Sequence, residues 1–152
     1  MIKILFICHG NICRSPMAEF ILNNMIEGTY LQHLVTVDSA GTSTEELGNP
    51  LYPPARDILA RHGISCKGKY ARQVSRDEYA EYDYIIGMDS WNMRNMIRIF
   101  GSDPDAKIHL LMDYTDNPRD VSDPWYSRDF VTTYNDIVEG CEGLLKEISS
   151  KF

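Results

Sequence analysis

The sequence predicts an α/β fold, a single domain over residues 1–152 in which a four-stranded parallel sheet carries helices on both faces. Three observations lead there. Ile4, Leu5, Phe6 and Ile7 form an unbroken apolar run, as a strand covered on both faces requires. Strand-like and helix-like stretches then alternate to the end of the chain. The 152 residues, 43% hydrophobic and 24% charged, also suit one globular domain with a core large enough to need no staples.

The first strand begins at Ile2, and six residues, His9 to Arg14, separate Cys8 at its end from Ser15-Pro16, which reads as an N-cap followed by proline at the first helical position. Met17, Ala18, Ile21, Leu22 and Met25 recur at helical spacing, with Gly28 as a stop. Leu34 to Asp38 reads as the second strand and Ser39-Ala-Gly41 as the loop at its carboxyl end. Thr42 to Pro54 is turn-rich and leads into a helix with Ala55, Ile58 and Leu59, ending near His62 and Gly63.

Ser75 and Glu78 have the spacing of a capping box before the strand Tyr84 to Met88. Asp89 or Ser90 then caps a helix with Met93, Met96, Ile97 and Phe100 on its core face. Lys107 to Met112 reads as the fourth strand and Asp113 to Tyr126 as an acidic, proline-bearing loop. In the last helix Phe130, Tyr134, Ile137, Val138, Cys141, Leu144, Leu145 and Ile148 keep the three-and-four spacing throughout. No internal repeat, linker or low-complexity segment interrupts the chain.

The chemistry concentrates where the first strand meets the first helix. A short strand-to-helix loop turns successive N–H groups inward as an anion nest, to which the helix dipole adds, so a phosphate-binding loop is expected after the first strand. Cys8 stands at its lip. A thiol facing amide donors, a helix N-terminus and Arg14 is placed to act as a thiolate nucleophile. Gly10 lets the backbone approach a ligand with an unusual dihedral, and Asn11 tolerates the left-handed region and braces the loop. The bare pattern Cys-x5-Arg is weak, because Cys66 to Arg72 repeats it with no buried strand before and no helix after.

Composition narrows the partners. A net charge of −7 argues against nucleic acid and anionic membranes, and leaves the local nest and Arg14 to outweigh the global field for an anionic substrate. The four cysteines, at 8, 13, 66 and 141, have neither the spacing of a disulfide scaffold nor a Cys-x-x-Cys pair for zinc, so a reducing cytoplasm is expected and no metal or cofactor. The start of the sequence reads as a strand, not as a leader, so residence where the protein is made is expected, and a monomer.

With these residues in view, Cys8-His-Gly-Asn-Ile-Cys-Arg-Ser-Pro16 resembles the signature loop of the low-molecular-weight protein tyrosine phosphatases. The resemblance continues through Asp38-Ser-Ala-Gly-Thr42, Arg61-His-Gly-Ile64, Ala71-Arg-Gln73, Met88-Asp89 with Asn92, and Asp123-Pro-Trp-Tyr126. It implies hydrolysis of phosphotyrosine, on proteins or small aryl phosphates, through a phosphocysteine on Cys8. Arg14 would hold the phosphoryl oxygens with His9, Gly10, Asn11, Ile12, Cys13 and Ser15 around them, and Ser39 would support the loop. The proton donor is expected from the acidic loop, where Asp113, Asp116, Asp120 and Asp123 are candidates. Asp123 is preferred because Pro124 stiffens it, Trp125 and Tyr126 can wall an aromatic pocket, and the family's acid lies in an Asp-Pro-aromatic motif; Asp120 is the reserve. Ser15 is expected both to cap the helix and to donate to the Cys8 sulfur. The family also implies a reversible disulfide between Cys8 and Cys13.

The chain departs from the family at His9, where an apolar residue is usual, at Glu45-Glu46, near an aromatic rim position, and at Lys69, where many relatives have histidine. Ile12 separates it from protein-arginine phosphatases, which carry threonine there. An arsenate reductase on the same fold would need relay cysteines near Tyr84 to Asp89, and that stretch has none. A phosphate or phosphopeptide binder would need neither the thiol nor the acid, and a cysteine-phosphorylated sugar-transport component would leave Arg14 and Asp123 without a role.

Overall fold

Alternation along the first strand divides the interior into two cores, one on each face of the sheet. The computed structural model describes residues 1–152, and β1 (Ile2–Cys8) is central in a parallel sheet whose strand order places β2 (Val35–Gly41) on one side and β3 (Tyr84–Gly87) then β4 (Ile108–Leu110) on the other. Ile4, Phe6 and Cys8 face the larger core, filled by α1 (Arg14–Ile26), α2 (Pro53–Arg61) and α5 (Phe130–Ser149). Leu5 and Ile7 face the smaller core, closed by Met96 and Phe100 of α3 (Ser90–Phe100). An apolar run is thus consumed on both faces, one residue at a time. The predicted fold class, a four-stranded parallel sheet with helices on both faces, is the observed one.

The differences from expectation lie at element ends. β2 runs through Ser39 to Gly41, because these residues continue the ladder with β1 as far as Cys8. β4 is only Ile108–Leu110; Leu111 to Tyr114 coil into a 3-10 turn whose Asp113 accepts from the Leu110 N–H at 3.3 Å. Ile97 is exposed, and Asn92 and Asn95 take core-facing places on α3 beside Met96 and Phe100. The box of Ser75 and Glu78 caps a 3-10 turn at Arg76–Ala80, and Asp89 rather than Ser90 caps α3. Part of the acidic loop forms the short helix α4 (Pro124–Ser127). No helix is long and apolar enough to cross a membrane.

Candidate active site

Helix α1 starts at Arg14, with Cys13 at its N-cap, so Ser15 is not the cap the sequence suggested. The first turn closes one residue earlier, by the Met17 N–H to Cys13 carbonyl bond at 3.1 Å, and this frees the Ser15 hydroxyl for the loop. Ser15 Oγ lies 3.0 Å from Cys8 Sγ, the contact expected of it.

The loop is held from outside by its carbonyls. Those of Cys8, His9 and Ile12 accept from the N–H groups of Thr42, Ser43 and Tyr52, at 3.0, 3.0 and 2.9 Å. The N–H groups of residues 9 to 13 have no protein acceptor. Donors left free in one short segment at a helix N-terminus form an anion nest. The left-handed residue that curls it is Asn11, at φ 59°, and not Gly10, which has a negative φ. Asn11 Nδ2 donates to Ser15 Oγ at 2.8 Å and Ser39 Oγ at 3.0 Å, while its Oδ1 accepts from the Arg72 N–H at 3.1 Å. Gly41, beyond Ser39, lets the loop sit this close to β2, since a Cβ there would be 2.7 Å from the His9 carbonyl oxygen.

Arg14 is 3% exposed. Its Nη1 donates to Asp89 Oδ2 at 2.8 Å and to the Val121 carbonyl at 2.9 Å, and its Nη2 reaches Asp123 Oδ2 at 3.4 Å. Burial works against its charge, but Cys8, Asp89 and Asp123 together outweigh burial and raise Arg14 above the ordinary guanidinium range. Asp123 is also pinned by the Trp125 N–H, which donates to its Oδ1 at 3.0 Å. Asp120, the reserve candidate, instead accepts from the Ser90 N–H at 3.2 Å and does not line the cavity. Burial, with the negative charges of Cys8 and Asp123, pushes the Cys13 thiol up to about 12, and all four cysteines are unpaired.

A cavity of about 700 Å³ opens over these groups. Cys8, Gly10, Ile12, Cys13 and Arg14 form its floor and lower wall, Trp125 and Tyr126 rise on one side, and His9, Glu45 and Glu46 also line it. Tyr52 packs against Trp125 with centroids 4.9 Å apart, backing that wall. His9 Nε2 is 3.2 Å from Glu45 Oε2, so two of the cavity-lining side chains pair with each other. Asn11, Ser15 and Ser39 lie behind the loop as supports and do not line the cavity. Sequence reasoning passed over Asp89, Trp91 and Asn92 as site residues, all of which line it. The usable signal was position: they follow the carboxyl end of β3, where open parallel sheets bind ligands.

Fold and cavity define a class of α/β proteins with a cysteine-containing anion loop at the carboxyl end of a parallel sheet. The family model described as low molecular weight phosphotyrosine protein phosphatase matches residues 3–152. The low molecular weight protein-tyrosine-phosphatase YfkJ of Bacillus subtilis is 40% identical over 99% of this chain and 98% of its own, and the chicken (Gallus gallus) low molecular weight phosphotyrosine protein phosphatase is 37% identical over 95% and 94%. The crystal structure of YfkJ superposes with a TM-score of 0.95 at 40% identity, covering 99% of this chain and 96% of that one. That of the Streptococcus pyogenes enzyme SP-PTP gives 0.86 at 36% identity over 97% and 93%. This chain belongs to the low-molecular-weight phosphotyrosine protein phosphatase family, and is an enzyme of the hydrolase class.

Proposed function

We propose that the chain hydrolyses phosphotyrosine, in proteins or as small aryl phosphates, through a phosphocysteine on Cys8. One observation carries the reading: a buried thiol sits at the lip of a loop whose N–H groups are unpartnered, beside an arginine held by Asp89 and the Val121 carbonyl. Three equatorial phosphoryl oxygens need that set of donors. Arg14 supplies its fork, which the point charge of a lysine cannot copy.

In the first step the Cys8 sulfur attacks phosphorus in line. The bond from phosphorus to the phenolic oxygen breaks, and Asp123 gives its proton to that oxygen. In the second step Asp123 takes a proton from water, the water oxygen bonds to phosphorus, and the sulfur leaves as thiolate with release of inorganic phosphate. The bond to Arg14 and the Trp125 N–H keep the Asp123 carboxyl beside the reacting phosphoryl group. The scheme uses no metal. The aromatic wall of Trp125 and Tyr126 supports a phenyl ester over a shorter serine ester, because a phenyl ring can stack there while its phosphate reaches the floor. We assign the working form to a reducing cytoplasm, a reading supported by the unpaired cysteines, and propose that it is a monomer.

Acid quenching during turnover of p-nitrophenyl phosphate, with chelator present, tests the scheme. A phosphoryl group mapped to the Cys8 peptide is expected. In Asp123→Asn, turnover falls by about 10²–10⁴ for p-nitrophenyl phosphate, and by more for a phenyl ester with a poorer leaving group. Turnover without a phosphocysteine, or equal losses for both esters, would refute it.

A further inference from the structure

Two aspartates grip the Arg14 guanidinium, and each is followed two residues later by a tryptophan. Asp89 caps α3 and accepts from Nη1 at 2.8 Å, while Asp123 caps α4 and lies 3.4 Å from Nη2. Trp91 and Trp125 are the only tryptophans of the chain. Each is the second residue of a helix that begins beside Arg14, and both line the cavity.

The two helices stand on opposite faces of the sheet. α3 closes the smaller core through Met96 and Phe100. Trp125 packs on Tyr52, and Tyr52 stacks on Phe130 of α5 with centroids 6.1 Å apart, on the side of the larger core. Trp91 therefore rises across Arg14 from the wall of Trp125 and Tyr126.

The fold itself has little use for an indole at this place. Trp91 is 58% exposed and packs on no other ring. Its backbone is nonetheless fixed on both sides, because the Asn92 N–H donates to Asp89 Oδ1 at 2.7 Å and the Asp89 N–H to Asn92 Oδ1 at 3.2 Å. Arg94, one turn further along α3, lies over the indole at 5.9 Å from its centroid, a contact that covers one face of the ring. An exposed, rigidly mounted indole at the edge of a cavity is the usual form of a binding hot spot.

The chemistry of the walls selects an occupant. The phosphotyrosyl ring already has Trp125 and Tyr126, and a cavity of about 700 Å³ has the size that takes a drug-sized ligand rather than one phenyl phosphate. In a peptide, the next group within reach is the side chain of a residue beside the phosphotyrosine. Arg94 disfavours a basic side chain at this wall, and Asp89, with Glu45 and Glu46 at the mouth, disfavours an acidic one. The indole itself gains most from a ring or a branched aliphatic group.

We propose that Trp91 forms a second subsite, which takes an aromatic or branched aliphatic side chain flanking the phosphotyrosine of a peptide. The proposal rests on the phosphotyrosine reading above and narrows it to protein substrates with such a neighbour.

The experiment uses phosphotyrosine peptides identical except for the residues on both sides of the phosphotyrosine, which are Phe, Leu, Gly or Lys. In the wild type, kcat/KM for the Phe and Leu peptides is expected to exceed that for the Gly peptide about tenfold, chiefly through KM, the size of one aromatic or aliphatic contact. In Trp91→Ala that ratio falls to within about twofold of unity, and Trp91→Phe keeps most of it. Because the ratio is taken within each protein, a general loss of activity or of folded enzyme does not produce the change. Calorimetric binding of the same peptides to Cys8→Ser, with and without Trp91→Ala, is expected to give the same ratios in Kd.

Equal values for the Phe and Gly peptides in the wild type overturn the proposal, as does a ratio that survives Trp91→Ala. A preference for Lys over Phe overturns it too, and places selectivity at Glu45 and Glu46 instead. A Trp91-dependent preference in binding by a protein that turns over none of the peptides upholds the subsite and defeats the phosphatase reading.

Discussion

Two segments of this chain spell the same pattern, Cys8 to Arg14 and Cys66 to Arg72, and the structure uses them for different work. The first follows a strand buried from Ile4 to Cys8 and runs into a 13-residue helix. Its carbonyls are tied outward and its amides left free, and its arginine is fixed beside the thiol. The second follows the end of α2 and makes only a turn, with the Lys69 N–H to Cys66 carbonyl at 3.4 Å and no helix beyond. Arg72 turns away to Asp38 at 3.0 Å and Glu78 at 2.7 Å, its side chain 35% exposed against 4% for Arg14. Burial alone pushes the Cys66 thiol up, with only Arg56 and a backbone hydrogen bond opposing. A cysteine and an arginine six positions apart therefore mean nothing until a strand, a curled loop and a helix N-terminus aim them at one point. The second segment still serves the first, because the Arg72 N–H orients Asn11 and the Arg72 carbonyl accepts from the Gly41 N–H at 2.8 Å.

The contrast is broken most directly at the two thiols. Cys8→Ser is expected to lower kcat for p-nitrophenyl phosphate by on the order of 10⁴ or more, as loss of an essential nucleophile does, while Cys66→Ser stays within about twofold of wild type. Comparable losses in both variants would erase the distinction.

A smaller effect is expected where glycines shape each segment. Gly41→Ala puts a Cβ 2.7 Å from the His9 carbonyl oxygen, so the phosphate loop has to shift. It should cost about 1–3 kcal/mol by urea denaturation and reduce kcat as well. Gly68, at φ +88° with open space around its Cβ position, bears only backbone strain on the same change, about 1–2 kcal/mol. Gly68→Ala should therefore leave kcat unchanged. A Gly41→Ala enzyme with wild-type kcat would show that β2 does not shape the loop.

The smallest effect concerns acid stability at the Arg72 end. Burial tends to raise Asp38, but Lys69, the Ser39 N–H and Arg72 overcome it and hold its carboxyl below the usual range. A carboxyl lowered in the folded state contributes stability that is complete above its unfolded value, near 4, and is lost as pH falls through the folded value. Asp38→Asn should thus lower the urea midpoint at pH 7 and flatten its decline below pH 4. Because the Asp38 side chain is 41% exposed, the expected change is under about 1 kcal/mol. Equal slopes for mutant and wild type would remove Asp38 from the acid response.

Much of the architecture was legible because it depends on local rules. An apolar run, helical spacings at Met17 to Met25 and Phe130 to Ile148, and the Asp89 cap each express a backbone preference that the chain carries along its own length. Element ends were less legible. Ser15 looked like a cap and became a hydrogen-bond partner of the Cys8 sulfur, and Ser39 looked like a loop residue and became part of a strand, since partners elsewhere in the chain claimed their hydroxyls and ladder positions.

The sequence by itself determined the sheet class, the Cys8 loop with Arg14, and the Asp123-Pro-aromatic motif, because short-range geometry and residue chemistry suffice for those. Only the tertiary structure decided that Asp89 and the Val121 carbonyl hold Arg14, that Asp123 rather than Asp120 reaches it, and that Lys69 and Glu19 stand behind Cys8. Those contacts join residues 50 to 109 positions apart, and in a linear chain nothing specifies which of several like charges will meet until the sheet order brings their strand ends together.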